Sequence, residues 1–185
     1  VNASNGDLEA AVTQFENAPL IFHTNNLERY RIAANGTLSS TTAGTSNLRL
    51  GVNAGDAIAS GGNYNVVVGD EAGTAISTGD ENVFMGFNAG RSVSTGSGNV
   101  AIGNESLHTE DGNGKNVAIG LQSLYTLNAG ADAHNTAVGY QSGKLITTGI
   151  QNTFVGGLAG DATDDGAYNT AVGHLALSAN CGDSN

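Results

Sequence analysis

Asn99-Val100-Ala101-Ile102-Gly103 and Asn116-Val117-Ala118-Ile119-Gly120 are one five-residue unit written twice, 17 residues apart. In the form Asn-x-x-aliphatic-Gly the unit occurs eight times, opening at Asn47, Asn65, Asn82, Asn99, Asn116, Asn135, Asn152 and Asn169. The closing glycines lie 18, 17, 17, 17, 19, 17 and 17 residues apart. A period this strict predicts stacked structural repeats rather than a globule built around a pocket. It weighs against an enzyme from the start.

The pattern extends beyond the unit. Three residues past each glycine stands a small residue (Ala54, Ala72, Ala89, Ser106, Ser123, Ser142, Ala159, Ala176), and the next is always Gly or Leu. Most repeats carry a second glycine turn, as at Ser77-Thr78-Gly79 and Thr147-Thr148-Gly149. The extra residues near Asn63 and Ala131 follow this second turn, which marks it as the exposed one. Seventeen residues with two turn clusters leave room for two strands of about four to five residues. The expected fold is all-β: a β-solenoid of eight ~17-residue coils, about 35–40 Å long at parallel-strand spacing.

Alternation along the strand assigns faces. Leu50, Val68, Met85, Ile102, Ile119, Val138, Val155 and Val172 precede the glycines and, with the column two residues earlier, are assigned to the interior. The intervening column, Val67, Phe84, Ala101, Ala118, Ala137, Phe154 and Ala171 after Arg49, is then expected to point outward. A strand apolar on both faces must be covered on both. That column is therefore expected to be the seam between identical chains; the pattern alone leaves dimer and trimer open. The recurring asparagines are expected to stack as a hydrogen-bonded structural ladder rather than to bind a ligand.

Residues 1–46 lie outside the repeat and form the first of two expected domains, with 47–185 as the second. Residues 7–16 suit a short helix or connector. Pro19–Thr24 and Leu27–Ala33 read as a β-hairpin turning at Asn25-Asn26, followed by a small-residue linker.

Composition narrows function. A net charge of −11, with six Lys and Arg in total, argues against nucleic acid and against docking on an anionic membrane. No apolar run is long enough to span a bilayer, so membrane insertion is not expected. Cys181 is the single cysteine, which leaves no disulfide framework and no cysteine-based zinc site. The chain opens Val1-Asn2 with neither methionine nor an apolar signal core, which reads as a fragment or processed product.

His23, His108, His134 and His174 never pair at ligand spacing, and no nucleophile elbow, zincin or phosphate-loop motif is present. No catalytic residue, cofactor or metal is expected. Residues 109–114 (TEDGNG) come nearest to a calcium loop, yet acidic turns such as Glu110-Asp111 read better as solvated charges. A threonine ladder of the ice-binding kind is broken where Asp111, Ala129 and Asp165 replace Thr78 and Thr95.

The units at 99–103 and 116–120, with Asn135-Thr-Ala-Val-Gly-Tyr-Gln-Ser142, resemble the head repeats of YadA-like trimeric adhesins. They are still more similar to the "NTAVGYQAL" repeats of bacteriophage tail fibres. Residues 19–36 resemble the short β module that often precedes such repeats in those fibres. The resemblance covers about nine-tenths of the chain and is more specific for fold than for biology.

It implies a left-handed parallel β-roll, assembled as a homotrimer, in a non-enzymatic tail-fibre segment of a virion that mediates host attachment. The implied partners are further copies of the chain, other virion tail proteins, and a host cell-surface glycan or protein receptor. The alternative is the head of a bacterial surface adhesin. A third class, a glycan-cleaving tailspike, would need paired carboxylates in a groove, and acid pairs here do not recur in adjacent repeats. Exposed turn residues Tyr64, Tyr125, Tyr140, Tyr168 and His174 are the candidate receptor contacts, since an aromatic ring can stack on a sugar.

Overall fold

The computed structural model describes residues 18–24, 26–32, 34, 38–40, 44–179 and 182–185. The helix expected at 7–16, the turn residue Asn25, Ala33 and Cys181 lie outside these. The chain divides into two compact units, residues 1–41 and 42–185. This boundary falls five residues before the one expected from the repeat. Its cause is visible at Thr45, whose N–H reaches Asn63 Oδ1 at 2.8 Å and whose carbonyl accepts from Tyr64 N at 2.9 Å.

The first unit is an antiparallel sheet in the order β1-β2-β3: β1 (Leu20–Thr24), β2 (Leu27–Ile32) and β3 (Leu38–Ser40). The expected hairpin is β1-β2. The expected linker contributes β3, with Leu38 opposite Ile32 and Ser40 opposite Tyr30.

In the second unit each repeat supplies one three-residue strand: β4 (Leu48–Leu50), β5 (Val66–Val68), β6 (Val83–Met85), β7 (Val100–Ile102), β8 (Val117–Ile119), β9 (Thr136–Val138), β10 (Thr153–Val155) and β11 (Thr170–Val172). They form an eight-stranded, all-parallel sheet in sequence order, every residue paired with its equivalent one repeat on. The result is a β-solenoid of about seven turns. Among the described residues the second strand expected in each coil is absent. Its place is taken by turns in which alternate residues hold a left-handed backbone, such as Glu71 (φ 53) and Gly73 (φ 52), or Gln122 (φ 54) and Leu124 (φ 49). Extended pairing cannot pass through such positions. Coils still bond to one another there, as in Gly73 N–H to Ala89 O at 2.9 Å and Ser77 N–H to Ser94 O at 2.8 Å.

The strand faces are the reverse of the expected ones. Val67, Phe84, Ala101, Ala118, Ala137 and Phe154 are fully buried inside a single chain and Ala171 nearly so; they are the core and not a seam. The columns beside them point outward, with Leu50, Met85, Val155 and Val172 between 37% and 70% exposed. The physical reason lies six residues downstream. Phe84 goes with Gly90 and Phe154 with Gly160, whereas Ala101, Ala118 and Ala171 go with Leu107, Leu124 and Leu177. A Cβ added at Gly90 or Gly160 would lie 2.5–2.7 Å from ring carbons of Phe84 or Phe154. Bulk is thus supplied once per coil, either from the strand or from the opposite corner, at the density a protein interior requires. Coil 137–143 has Ala and Gly together, and there Leu124 and Phe154 of the neighbouring coils close in on Gly143.

The cassette glycines have a separate cause. Gly69 sits at φ +135°, and a Cβ there would meet Gly86 O at 2.5 Å; the next coil's main chain occupies the space of a side chain.

The eight asparagines are buried. Each Oδ1 accepts the backbone N–H of the next asparagine, at 2.9 Å for Asn47 to Asn65, 3.0 Å for Asn99 to Asn116 and 3.1 Å for Asn116 to Asn135. Most Nδ2 groups donate to a carbonyl of the second turn, as Asn82 does to Gly96 O at 2.9 Å. Asn116 turns instead to Gly114 O at 3.2 Å, because the two-residue insertion displaces the usual acceptor. Asn185 occupies a ninth rung, donating its N–H to Asn169 Oδ1 at 2.8 Å.

Phe84→Ala should cost about 3–5 kcal/mol in unfolding free energy. Adding Gly90→Leu, which copies the Ala101/Leu107 pair, should restore more than half of it in the same denaturant titration. Asn116→Leu should cost about 1–3 kcal/mol for each buried main-chain or amide group it orphans, read as a fall in calorimetric Tm.

Candidate functional site

Two outward surfaces of the solenoid are open to other molecules. The first is the outer face of the parallel sheet. Val68, Ile102, Ile119 and Val138 are half-buried there, and Leu50, Met85, Val155 and Val172 exposed. Just past the glycines, Val52, Phe87, Leu121 and Tyr140 add exposed apolar surface at 68%, 47%, 42% and 54%. The sheet face is charge-free over eight strands.

The second surface is the wall away from the sheet. Among the described residues the one seven past a cassette glycine is buried (Ile58, Ile76, Val93, Glu110, Leu127, Ile146, Thr163), so the residues on either side of it point out. Two concavities follow these outward columns. One, of about 460 Å³, is lined by Thr74, Ala75, Arg91, Ser92, Thr109, Asp111 and Asn128. The other, of about 370 Å³, is lined by Thr126, Leu145, Thr147, Ala162 and Asp164. Both contain the positions six and eight past a glycine, so they lie on the same wall in successive coils.

Glu110 takes an inward position that five other coils fill with an aliphatic side chain and one with Thr163. It is fully buried, which corrects the expectation of a solvated turn charge. Asn113 donates to its Oε1 from the main chain at 3.2 Å and from Nδ2 at 2.9 Å. The carboxylate thus closes its own turn from within and does not face outward as a calcium ligand would. Among the described residues no group of three His, Cys, Asp or Glu side chains is placed to hold a metal ion. Asp132, in the exposed insertion, is held below the usual carboxylate range by hydrogen bonds from Lys115 and from Gly114 N–H.

The five candidate receptor contacts do not gather. Tyr64 and Tyr168 share one corner position, just before the ladder, but six repeats apart; Tyr140 and His174 share another, just past the cassette glycine. Tyr64, Tyr140 and Tyr168 are more than half exposed. His174 Nδ1 lies 2.9 Å from Gly157 O. Tyr125 is half-buried and stacks on His108, ring centroids 5.0 Å apart. The two concavities were not legible in the sequence, because their columns vary from coil to coil; only their common offset from the glycines would have aligned them.

No family model matches the chain, and neither a curated protein nor a solved structure shows significant similarity to it. What the residues build therefore carries the functional argument.

Burial lowers the His108 pKa from the ordinary imidazole value of 6.5, with Glu105 opposing and Arg91 adding to the shift. The unfolded chain therefore binds this proton first, and stability falls as pH drops through that value toward the folded one. Calorimetric Tm should decline as the pH falls through the ordinary imidazole value of 6.5, and the decline should be smaller in His108→Phe.

Proposed function

We propose that this chain is a non-enzymatic segment of a self-assembling fibre, a homotrimer serving host attachment in the manner of a phage tail fibre. The supporting observation is the uncovered sheet face. An apolar stripe that runs through every coil is the kind of surface that marks an association site. Its occupant has to repeat at the coil spacing over all eight strands to stay in contact, and a second copy of the same chain does so by construction. Closed symmetry makes such a contact self-limiting. The choice of three copies, the virion setting and a host receptor come from the resemblance of the Asn-Thr-Ala-Val-Gly-Tyr-Gln repeat to tail-fibre sequences.

Met85→Glu with Ile102→Glu places two charges on the outer face and none in the core. Native mass spectrometry should give a trimer for the parent chain and a monomer for this double variant, with circular dichroism unchanged. A parent chain that stays monomeric at micromolar concentration would sink the proposal. Labelled parent chain should also bind whole bacterial cells of its host range.

A further inference from the structure

The step Asn113-Gly114 closes the second turn of its coil, just before the ladder rung at Asn116. An asparagine followed by glycine is the step at which a chain most readily modifies itself, because no side chain shields the glycine nitrogen from the asparagine amide. Packing nevertheless fixes both residues. A Cβ at Gly114 would collide with the Ser97 carbonyl of the preceding coil. Asn113 is bound to the buried Glu110, and its main-chain carbonyl accepts from Nδ2 of the ladder residue Asn99 at 3.1 Å. We propose that Asn113-Gly114 is a self-modification site, held shut by Glu110 and Asp132 and converted when its coil opens. The proposal goes beyond the fibre reading and does not depend on it.

The chemistry needs nothing but water. The Gly114 nitrogen attacks Asn113 Cγ, and a Cγ–N bond forms as the Cγ–Nδ2 bond breaks. Nδ2 departs as ammonia, carrying off the proton that Gly114 N–H has lost. Water then opens the cyclic imide at either carbonyl, leaving an aspartyl or an isoaspartyl residue.

In the closed coil both reacting groups are held away from each other. The nucleophile's N–H is donated to Asp132 Oδ1 at 3.0 Å, and Lys115 Nζ grips the other carboxylate oxygen at 2.7 Å. The leaving group is donated to Glu110 Oε1 at 2.9 Å, and Asn113 N–H goes to the same oxygen at 3.2 Å. Attack requires the Gly114 and Nδ2 bonds to break together, which local opening of one coil achieves. An aspartate closes the equivalent turn elsewhere: Asn63 N–H reaches Asp80 Oδ1 at 2.7 Å, and Ala167 N–H reaches Asp183 Oδ1 at 2.8 Å. Neither of those donors follows an asparagine. At Gly114 an ordinary closure of the solenoid falls on a nucleophile.

The product cannot close again. A carboxylate would stand where Nδ2 stood, 2.9 Å from Glu110 Oε1, so an acceptor replaces a donor and two anions meet at a buried site. The isoaspartyl product also adds a methylene to the main chain and turns the Asn113 carbonyl into a free carboxylate, which removes the acceptor of Asn99.

The test incubates the parent assembly, Asp132→Ala, Asp132→Asn and urea-unfolded parent at mildly alkaline pH, with peptide mass mapping of Asn113. Asp132→Ala should deamidate there about tenfold faster than the folded parent, the worth of one hydrogen bond to a charged group. Asn5-Gly6 and Asn35-Gly36 in the same digests should keep their parent rates. Asp132→Asn keeps the acceptor and loses the ion pair, so its rate should stay within about threefold of the parent's. Asn113→Asp should lower calorimetric Tm by at least about 3 °C. Adding Glu110→Gln, whose amide can donate to the new carboxylate, should recover more than half of that loss. Equal rates in parent and Asp132→Ala, or a folded parent as fast as the urea-unfolded chain, would overturn the protected site. An unchanged Tm in Asn113→Asp would overturn its one-way character. The urea comparison and the Tm pair need no Asp132 variant, so they decide the matter even where Asp132→Ala does not fold.

Discussion

In every repeat a buried asparagine oxygen accepts the main-chain N–H that opens the next repeat, at 2.9 Å for Asn47 Oδ1 from Asn65 N–H and at 2.9 Å for Asn152 Oδ1 from Asn169 N–H. The acceptor is on a side chain, so it can be reached only if the next coil starts in one place. That single requirement sets the axial register. With register fixed, equivalent residues stand over one another, Gly over Gly and strand over strand, and the glycine closure and the parallel sheet both become feasible. A buried donor with no acceptor is costly, so a slipped coil is penalised at every rung.

Much of this was legible because repetition is a statement about register. The eight strand positions, the exposed location of both insertions and the buried ladder all follow from the spacing of Asn and Gly. The assignment of faces did not, and the reason is instructive. Alternation says that Val66 and Val68 lie opposite Val67, but it does not say which side is inside. A column rich in alanine reads as a surface able to approach a neighbour. Only the complementarity between Phe84 and Gly90, or Ala101 and Leu107, reveals that the column faces another part of its own coil. Both columns were visible in the sequence; their relation across six residues was the missing step.

Glu110 shows a different limit. Residue type predicts a charged turn, while position, seven past the glycine, predicts a core side chain. Position prevails because Asn113 satisfies the carboxylate inside the turn. The leucines at φ near +50° show the same ordering of effects: Leu107 and Leu124 hold a backbone that a leucine rarely adopts, because the core beside Ala101 and Ala118 needs the volume. A local penalty of about 1–2 kcal/mol is offset by burial of a whole side chain, worth about 1.5–3 kcal/mol.

The direction of the bonds has a mechanical consequence. The ladder oxygens, the sheet and many turn hydrogen bonds, such as Gly73 N–H to Ala89 O, connect one coil to the next and point along the solenoid axis, while others, such as Ile76 N–H to Gly73 O, close a turn within its own coil. A pull along that axis loads every bond at a junction together, in parallel, and loads successive junctions in series. Because the junctions share the same ladder and sheet bonds and differ mainly at the insertion after Asn116, strain spreads over them until one junction opens, and the chain of that coil then pays out as slack. A thread of this kind yields in steps of one repeat, and its remaining length keeps its structure while it does so.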